Sequence, residues 1–218
     1  MDQAHLMEGI GLWMILVLSL TFHEWAHAFT SDKLGDPTPR NQGRVTLNPI
    51  AHMSLLGTVV IPLFMILLSP AIGIIGWGKP VQVNPSYYKN KVFDDILVTL
   101  AGPFSNLVLA TVVTLIGGIA LQFTPDTIDE RLYPLIVNTI IINCLLVVFN
   151  LIPIPPLDGS RVMRYVLGLS EVTYMNIARY GFFILIVLIN IPAFKTLLST
   201  ALLFIAAPFL MLVKALAT

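Results

Sequence analysis

The residues of this sequence best equipped to do chemistry lie close together, in His23-Glu24-Trp25-Ala26-His27. On a helix, two histidines four positions apart project about 40° from one another on the same face, so both can offer a ring nitrogen to one zinc ion. Glu24 projects roughly 100° away from His23. That is near enough to take a proton from a water at the metal, and too far round to be a ligand itself. The chemistry such a set supports is metal-assisted hydrolysis, with Glu24 as general base.

A five-residue pattern fixed at three positions arises by chance in unrelated chains, so its surroundings decide its weight. Here they are apolar. Of the 218 residues 56% are hydrophobic and 11% charged, where a soluble domain carries roughly a quarter charged. The pattern sits near the end of the apolar stretch Ile10 to Phe29, and an ionisable side chain at membrane depth costs about 2.5–3.5 kcal/mol on insertion scales, which makes it functional by default. No Lys or Arg precedes that stretch and no small-residue cleavage site follows it, so it reads as a mature helix rather than a signal peptide. Net charge is zero, with twelve Lys and Arg dispersed along the chain. The electrostatic footprint of a nucleic-acid binder is absent, and nucleic acid is not an expected partner. Cys144, the single cysteine, has no internal disulfide partner and reads as a small core residue.

The elements that must position the pattern are helices. Apolar segments run Ile10 to Phe29, Met53 to Ile75, Ile96 to Phe123, Leu132 to Ile152, Met175 to Ile191 and Ala193 to Leu216. Five read as spans of the length a bilayer requires. The segment Met53 to Ile75 differs, because Gly57, Pro62, Pro70 and Gly73 interrupt it. Such breaks survive at membrane depth where protein or a cavity satisfies the freed backbone, so this segment is expected to be re-entrant. Arg44-Val45-Thr46-Leu47 and Val81-Gln82-Val83 are candidate short strands near the site. The predicted fold class is an all-α polytopic membrane protein of about five spanning helices, with a broken re-entrant segment and short strands. Residues 1–218 form one membrane-embedded domain.

Charge distribution orients the chain. With every segment spanning and the N-terminus outside, Lys79, Lys89, Lys91, Arg161 and Arg164 fall outside, against the positive-inside bias. With the second segment re-entrant they join Lys33, Arg40, Arg44, Arg179 and Lys214 on the cytoplasmic side. Arg131 and Lys195 alone stay outside, and the loop holding Asp126, Asp129 and Glu130 faces outward.

A catalytic zinc takes three protein ligands, so a third must come from elsewhere. Candidates are His5, His52, Asp94, Asp95 and Asp158. Asp158 stands out because Pro153, Pro155 and Pro156 break the fourth span just before it. The re-entrant topology also brings it to the side on which His23 and His27 lie. Its other reading is a helix-start cap ahead of Gly159 and Ser160.

At this point the sequence resembles the site-2 protease family of intramembrane metalloproteases. The resemblance rests on His23-Glu24-xx-His27 and on Asn150-xx-Pro153-x-Pro155-Pro156-Leu157-Asp158-Gly159. It extends through Asn48-Pro49-xx-His52, Gly76-Trp77-Gly78-Lys79-Pro80-Val81-x-Val83-Asn84-Pro85 and Ala101-Gly102-Pro103-xx-Asn106, covering about residues 20–165. The helices near 175–216 carry no signature. Among relatives the chain is similar to the short bacterial and archaeal type without PDZ or CBS domains. It departs from that type after His52, where Ser54-Leu55 stands in place of the usual Asp-Pro. The resemblance implies that Asp158 completes the zinc site, and that Asn150 lies near it and hydrogen-bonds the substrate carbonyl or the developing oxyanion. Read from the residues alone, Asn150 serves equally as helix-helix glue, and Asn106 and Asn143 read as glue. Ala101-Gly102-Pro103 reads as close helix packing, Trp77 and Lys79 as interfacial anchors.

The expected protein is a zinc-dependent endopeptidase with one zinc per chain, held by His23, His27 and Asp158, and with Glu24 and Asn150 as catalytic residues. It is expected in the plasma membrane as a multi-pass protein with its site toward the cytoplasm. Its substrate is a transmembrane segment of another protein, received by edge pairing on the two short strands. The rival readings are a catalytically silent protease relative that binds membrane segments, and a divalent-metal transporter.

Overall fold

The described residues of the computed structural model are 3–68, 76–124 and 126–217. The side chains of His5 and of residues 126–130 lie outside the described set, as do residues 69–75 of the expected re-entrant segment. Among the described residues five helices are long and apolar enough to cross a bilayer. They belong to α1 (Gln3–Lys33), α5 (Lys91–Leu121), α6 (Asp126–Asn150), α8 (Glu171–Ile189) and α9 (Pro192–Leu216). Short helices α2 (Thr38–Asn41), α3 (Pro49–His52), α4 (Ile61–Leu68) and α7 (Asp158–Val166) lie in the connections.

Side-chain pairings set the helix directions. Ser19 meets Asn143, and further along α1 His23 meets Asp158 just beyond the end of α6, so α1 and α6 run parallel. His23 meets Asn106 and His27 meets Val98, so α5 runs antiparallel to α1. Small residues allow these helices to come close. A methyl on Gly117 would stand 2.8 Å from Ile136, and one on Gly118 would stand 2.8 Å from Leu216. Behind the site Ala110, Leu121, Ile136, Ile140, Cys144, Ala206 and Val213 form the buried seam of α5, α6 and α9. Cys144 is thus a core residue there.

Between α1 and α5 the chain makes an excursion and returns. Residues Leu55–Val60 form a wide π turn that continues into α4. At 1.5 Å per residue the 14 residues from Leu55 to Leu68 reach about 21 Å, short of a hydrocarbon core of about 30 Å. The two ends of the excursion meet: Met53 and Gly78 form an isolated antiparallel bridge, Lys79 N–H donates to His52 O at 2.8 Å, and Trp77 N–H donates to Gly57 O at 3.0 Å. The chain therefore returns to where it left. Pro62 has no N–H for the carbonyl of Thr58, and that carbonyl instead accepts the Trp13 indole N–H at 2.7 Å. Trp77, expected as an interfacial anchor, lays its ring on Gly57, where a Cβ would come within 2.5 Å of it.

The expected strands do not form. Among the described residues Arg44–Leu47 and Val81–Val83 carry no ladder. The groups a ladder needs are spent otherwise: Arg44 N–H closes a turn on Pro39 O, Thr46 O accepts from His52, Lys79 O accepts from the Arg44 guanidinium, and Val81 N–H donates to Glu24. Substrate pairing on two strand edges thereby loses its template.

The end of α1 is tied to the segment before α5. Gly35 takes a positive φ of 106°, which lets Asp36 N–H reach Ser31 O at 3.1 Å and stops the helix. The buried Asp36 carboxylate then accepts from Ser31 Oγ, Thr38 N–H and Asn84 N–H at 2.7–2.9 Å. Burial alone would raise its pKa, and these hydrogen bonds outweigh burial and lower it.

Candidate metal centre

His23 and His27 face α5 from the last third of α1. The ring of His27 uses Nδ1 on the carbonyl of Val98, at 2.7 Å. A carbonyl only accepts, so Nδ1 carries the hydrogen, and in the neutral ring Nε2 is the nitrogen with the lone pair a metal would take. For His23 the same conclusion follows through a chain of three residues. Asn143 Nδ2 donates to Thr139 O at 2.8 Å, so Asn143 Oδ1 is the acceptor facing Asn106. Asn106 Nδ2 donates to that oxygen at 2.8 Å and to Ser19 O at 3.3 Å. Asn106 Oδ1 therefore faces His23 Nδ1 at 2.6 Å, which must be an N–H donor.

Both free ring nitrogens point at one carboxylate oxygen. His23 Nε2 lies 3.1 Å from Asp158 Oδ2, His27 Nε2 lies 3.4 Å from the same oxygen, and the two Nε2 atoms are 3.1 Å apart. All three side chains can offer one ligand atom within 4.8 Å of the others. With both rings neutral, three acceptors this close repel one another unless a cation stands among them. A single proton serves one pair, whereas a metal ion serves all three. Two imidazole nitrogens and a carboxylate oxygen form a donor set that catalytic zinc takes, so the residues present fit that metal.

Asp158 reaches this point from a different part of the chain, 135 residues from His23. The proline-rich turn after α6 delivers it as the first residue of α7, where Leu157 occupies the cap position with no side-chain cap bond. Asp158 is thus not the helix cap of its alternative reading, and its carboxylate goes to the histidines. Gly159 beside it permits close approach to the turn, since a Cβ there would lie 2.3 Å from Leu151 O. Asp95 secures the far end of α7 by accepting from Tyr165 OH at 2.7 Å, with Arg161 3.8 Å away.

The remaining candidate ligands whose side chains are described are engaged elsewhere. Asp94 accepts from Asn90 N–H at the start of α5. His52 donates Nε2–H to Thr46 O at 2.7 Å and takes an Arg44 N–H at Nδ1, 3.4 Å away. Burial pushes its pKa below the ordinary value, against the raising effect of the Thr46 bond and with the help of neighbouring Arg44, so the ring is neutral. Asn150 ends α6 and donates Nδ2–H to Leu146 O at 3.0 Å, within its own helix.

Glu24, about 100° round α1 from His23, reaches the returning segment. Its Oε2 accepts Val81 N–H at 2.9 Å, and a Cβ on Gly78 would lie 3.5 Å from Oε1. Arg44 stands 3.9 Å from Oε2.

Val98, Gly102 and Asn106 recur at four-residue spacing and so present one face of α5 to α1. Two of them do more for the site than the packing and glue roles read from sequence. Asn106 fixes the tautomer of His23, a role such partners serve in metal sites. Gly102 makes room for both rings, because a Cβ there would lie 2.3 Å from His27 Nε2 and 2.7 Å from His23 Cε1. Gly102→Ala is therefore expected to push the imidazoles apart and weaken zinc binding about 10–100-fold while the protein still folds. Competition with a chelating dye, alongside thermal melting, measures both.

Comparison with known proteins bears on this geometry. Peptidase family M50 matches residues 115–189. The Bacillus subtilis protein named "Putative zinc metalloprotease YwhC" is 34% identical over 188 residues, spanning 83% of this chain and 80% of its own. This chain belongs to peptidase family M50, the site-2 proteases. "Putative zinc metalloprotease Rip2" of Mycolicibacterium smegmatis is 30% identical over 197 residues, with 88% of this chain and 73% of that protein covered. "Zinc metalloprotease MJ0392" of Methanocaldococcus jannaschii is 24% identical over 157 residues, with 72% and 34% covered. No solved structure matches the chain significantly. As an M50 member the protein is a zinc metalloendopeptidase, and its five apolar helices make it a multi-pass membrane protein.

Proposed function

We propose that this M50 protease cuts peptide bonds in or near the transmembrane segments of other proteins, from a site on the cytoplasmic side of the plasma membrane. One observation carries the reading: three potential ligand atoms of His23, His27 and Asp158 converge between apolar helices, with the carboxylate of Glu24 on the same turn of α1. In this reading those three residues hold one zinc ion, which when bound polarises the scissile carbonyl and acidifies a water.

Glu24 takes the proton of the attacking water and passes it to the leaving amine. Its Oε2 is held by Val81 N–H, which orients the carboxylate and leaves Oε1 for the proton. Asn150 uses one of its two amide hydrogens on Leu146 O. The second is available to a substrate carbonyl or an oxyanion. A helical substrate hides its own carbonyls and must unwind to present one.

The cytoplasmic assignment rests on charge. With the excursion from Met53 to Gly78 returning to its start, ten of the twelve Lys and Arg fall on the side of the site, as the positive-inside bias requires. The intact Glu24 and histidine pair favour an active protease over a silent relative.

The test is a comparison of substrates by the purified protein in liposomes. A bilayer-spanning segment is expected to be cut, and an unfolded soluble protein of similar composition around the cleavage point to be spared. Equal cleavage of both would remove the intramembrane part of the proposal.

A further inference from the structure

Arg44 stands beside the proposed general base with no part in the chemistry above. Its side chain is 4% exposed, deeper than a guanidinium goes without compensation. It donates to Lys79 O, lies 3.4 Å from His52 Nδ1, and has its Nε buried without a hydrogen-bond partner. Among the described residues the carboxylate within 4.0 Å of it is Glu24, at 3.9 Å. The buried cation and the buried base are thus each other's counter-charge.

The two also grip the same piece of backbone. Arg44 holds the carbonyl of Lys79, and Glu24 holds the N–H of Val81, two residues further along. The grip is closed by Lys79 N–H on His52 O, and His52 in turn is tied to Thr46 and Arg44. Undocking residues 77–81 would therefore release Glu24 from its orienting hydrogen bond, and loss of Arg44 would remove one of the bonds that seat them.

We propose that Arg44 is a positioning residue for Glu24: it docks the returning segment 77–81 onto α1 and supplies the buried counter-charge that holds the carboxylate in place. The inference rests on the reading of Glu24 as general base. Its consequence is that assembly of the base is coupled to seating of the returning segment, while the metal ligands are independent of it.

The test uses Arg44→Met, Arg44→Lys, Glu24→Gln and the double variant Arg44→Met/Glu24→Gln, each as the full chain. In Arg44→Met zinc content is expected at the wild-type level, because no contact joins Arg44 to His23, His27 or Asp158. Its kcat is expected to fall about 10–100-fold, the range for residues that support a site from behind, with KM little changed. Arg44→Lys recovers part of kcat. Hydrogen exchange over residues 76–83 quickens in Arg44→Met. In thermal melting the double variant loses less than the sum of the two single losses, as a coupled pair requires. If Arg44→Met alone does not fold, recovery of folding in the double variant supports the pairing, and failure to recover overturns it. Zinc lost together with activity in Arg44→Met, or unchanged kcat with additive melting losses, also overturns it. Undiminished cleavage by Glu24→Gln would instead remove Glu24 as the base and leave the coupling measured by melting intact.

Discussion

Glu24→Gln is expected to abolish peptide hydrolysis while the protein keeps its zinc. Glutamine has the shape of glutamate, and its carbonyl oxygen can still accept Val81 N–H at the 2.9 Å position. It has no basic oxygen with which to take a proton, so the loss falls on the chemical step. General-base catalysis is worth about 10²–10⁴-fold in rate, and cleavage should drop by at least that factor. His23, His27 and Asp158 make their mutual contacts without Glu24, so metal analysis of the purified variant should match wild type. The same substitution leaves the buried Arg44 guanidinium without its carboxylate, and a lower melting temperature is expected with it. Undiminished turnover of a transmembrane substrate by this variant would falsify the assigned mechanism.

Asp158→Ala carries the second large effect, and here the metal itself is lost. The two histidines alone leave zinc one ligand short of the three that catalytic sites provide, and they lose the negative charge that both Nε2 atoms face. Zinc affinity should fall by more than about 100-fold, beyond what loss of an outer partner costs, and activity should vanish with it. No described side chain stands ready to substitute. His52 has one ring nitrogen on Thr46 O and the other facing Arg44, and Asp95 is committed to Tyr165 and Arg161 on α7. Zinc measured per chain after exhaustive buffer exchange, with Asp158→Ala beside wild type, decides the matter. Unchanged occupancy would take Asp158 out of the ligand set.

Much of this site is local and therefore visible in the chain. His23 and His27 share a face because an α-helix brings residues four apart together whatever surrounds it. The excursion after His52 was legible from Gly57 and Pro62 for the same reason, since a helix interrupted there cannot satisfy its own backbone. Gly102 and Asn106, also four apart, share a face of α5 just as plainly. What that face would meet was not legible, because the partners are His27 and His23, 71 or more residues away. The proposed strands failed on the same ground. Val and Thr at 44–47 and 81–83 fit a strand, but Glu24, Arg44 and His52 arrive from other elements and take the backbone groups a ladder would use.

The pattern from His23 to His27 determined by itself that two imidazoles and a carboxylate would stand on adjacent faces of one apolar helix, and the charge distribution along the chain led to the expectation that Asp158 shares their side. The tertiary structure decided that Asp158 closes to 3.1 Å on His23, that Asn106 and Val98 fix a hydrogen on each Nδ1 and turn both Nε2 atoms to Asp158, and that Glu24 is clasped to the returning segment beside Arg44. Helix geometry repeats every few residues and can be read from one stretch of sequence. A hydrogen on a ring nitrogen, or the neighbour of a buried charge, is set by whichever distant group packs against it.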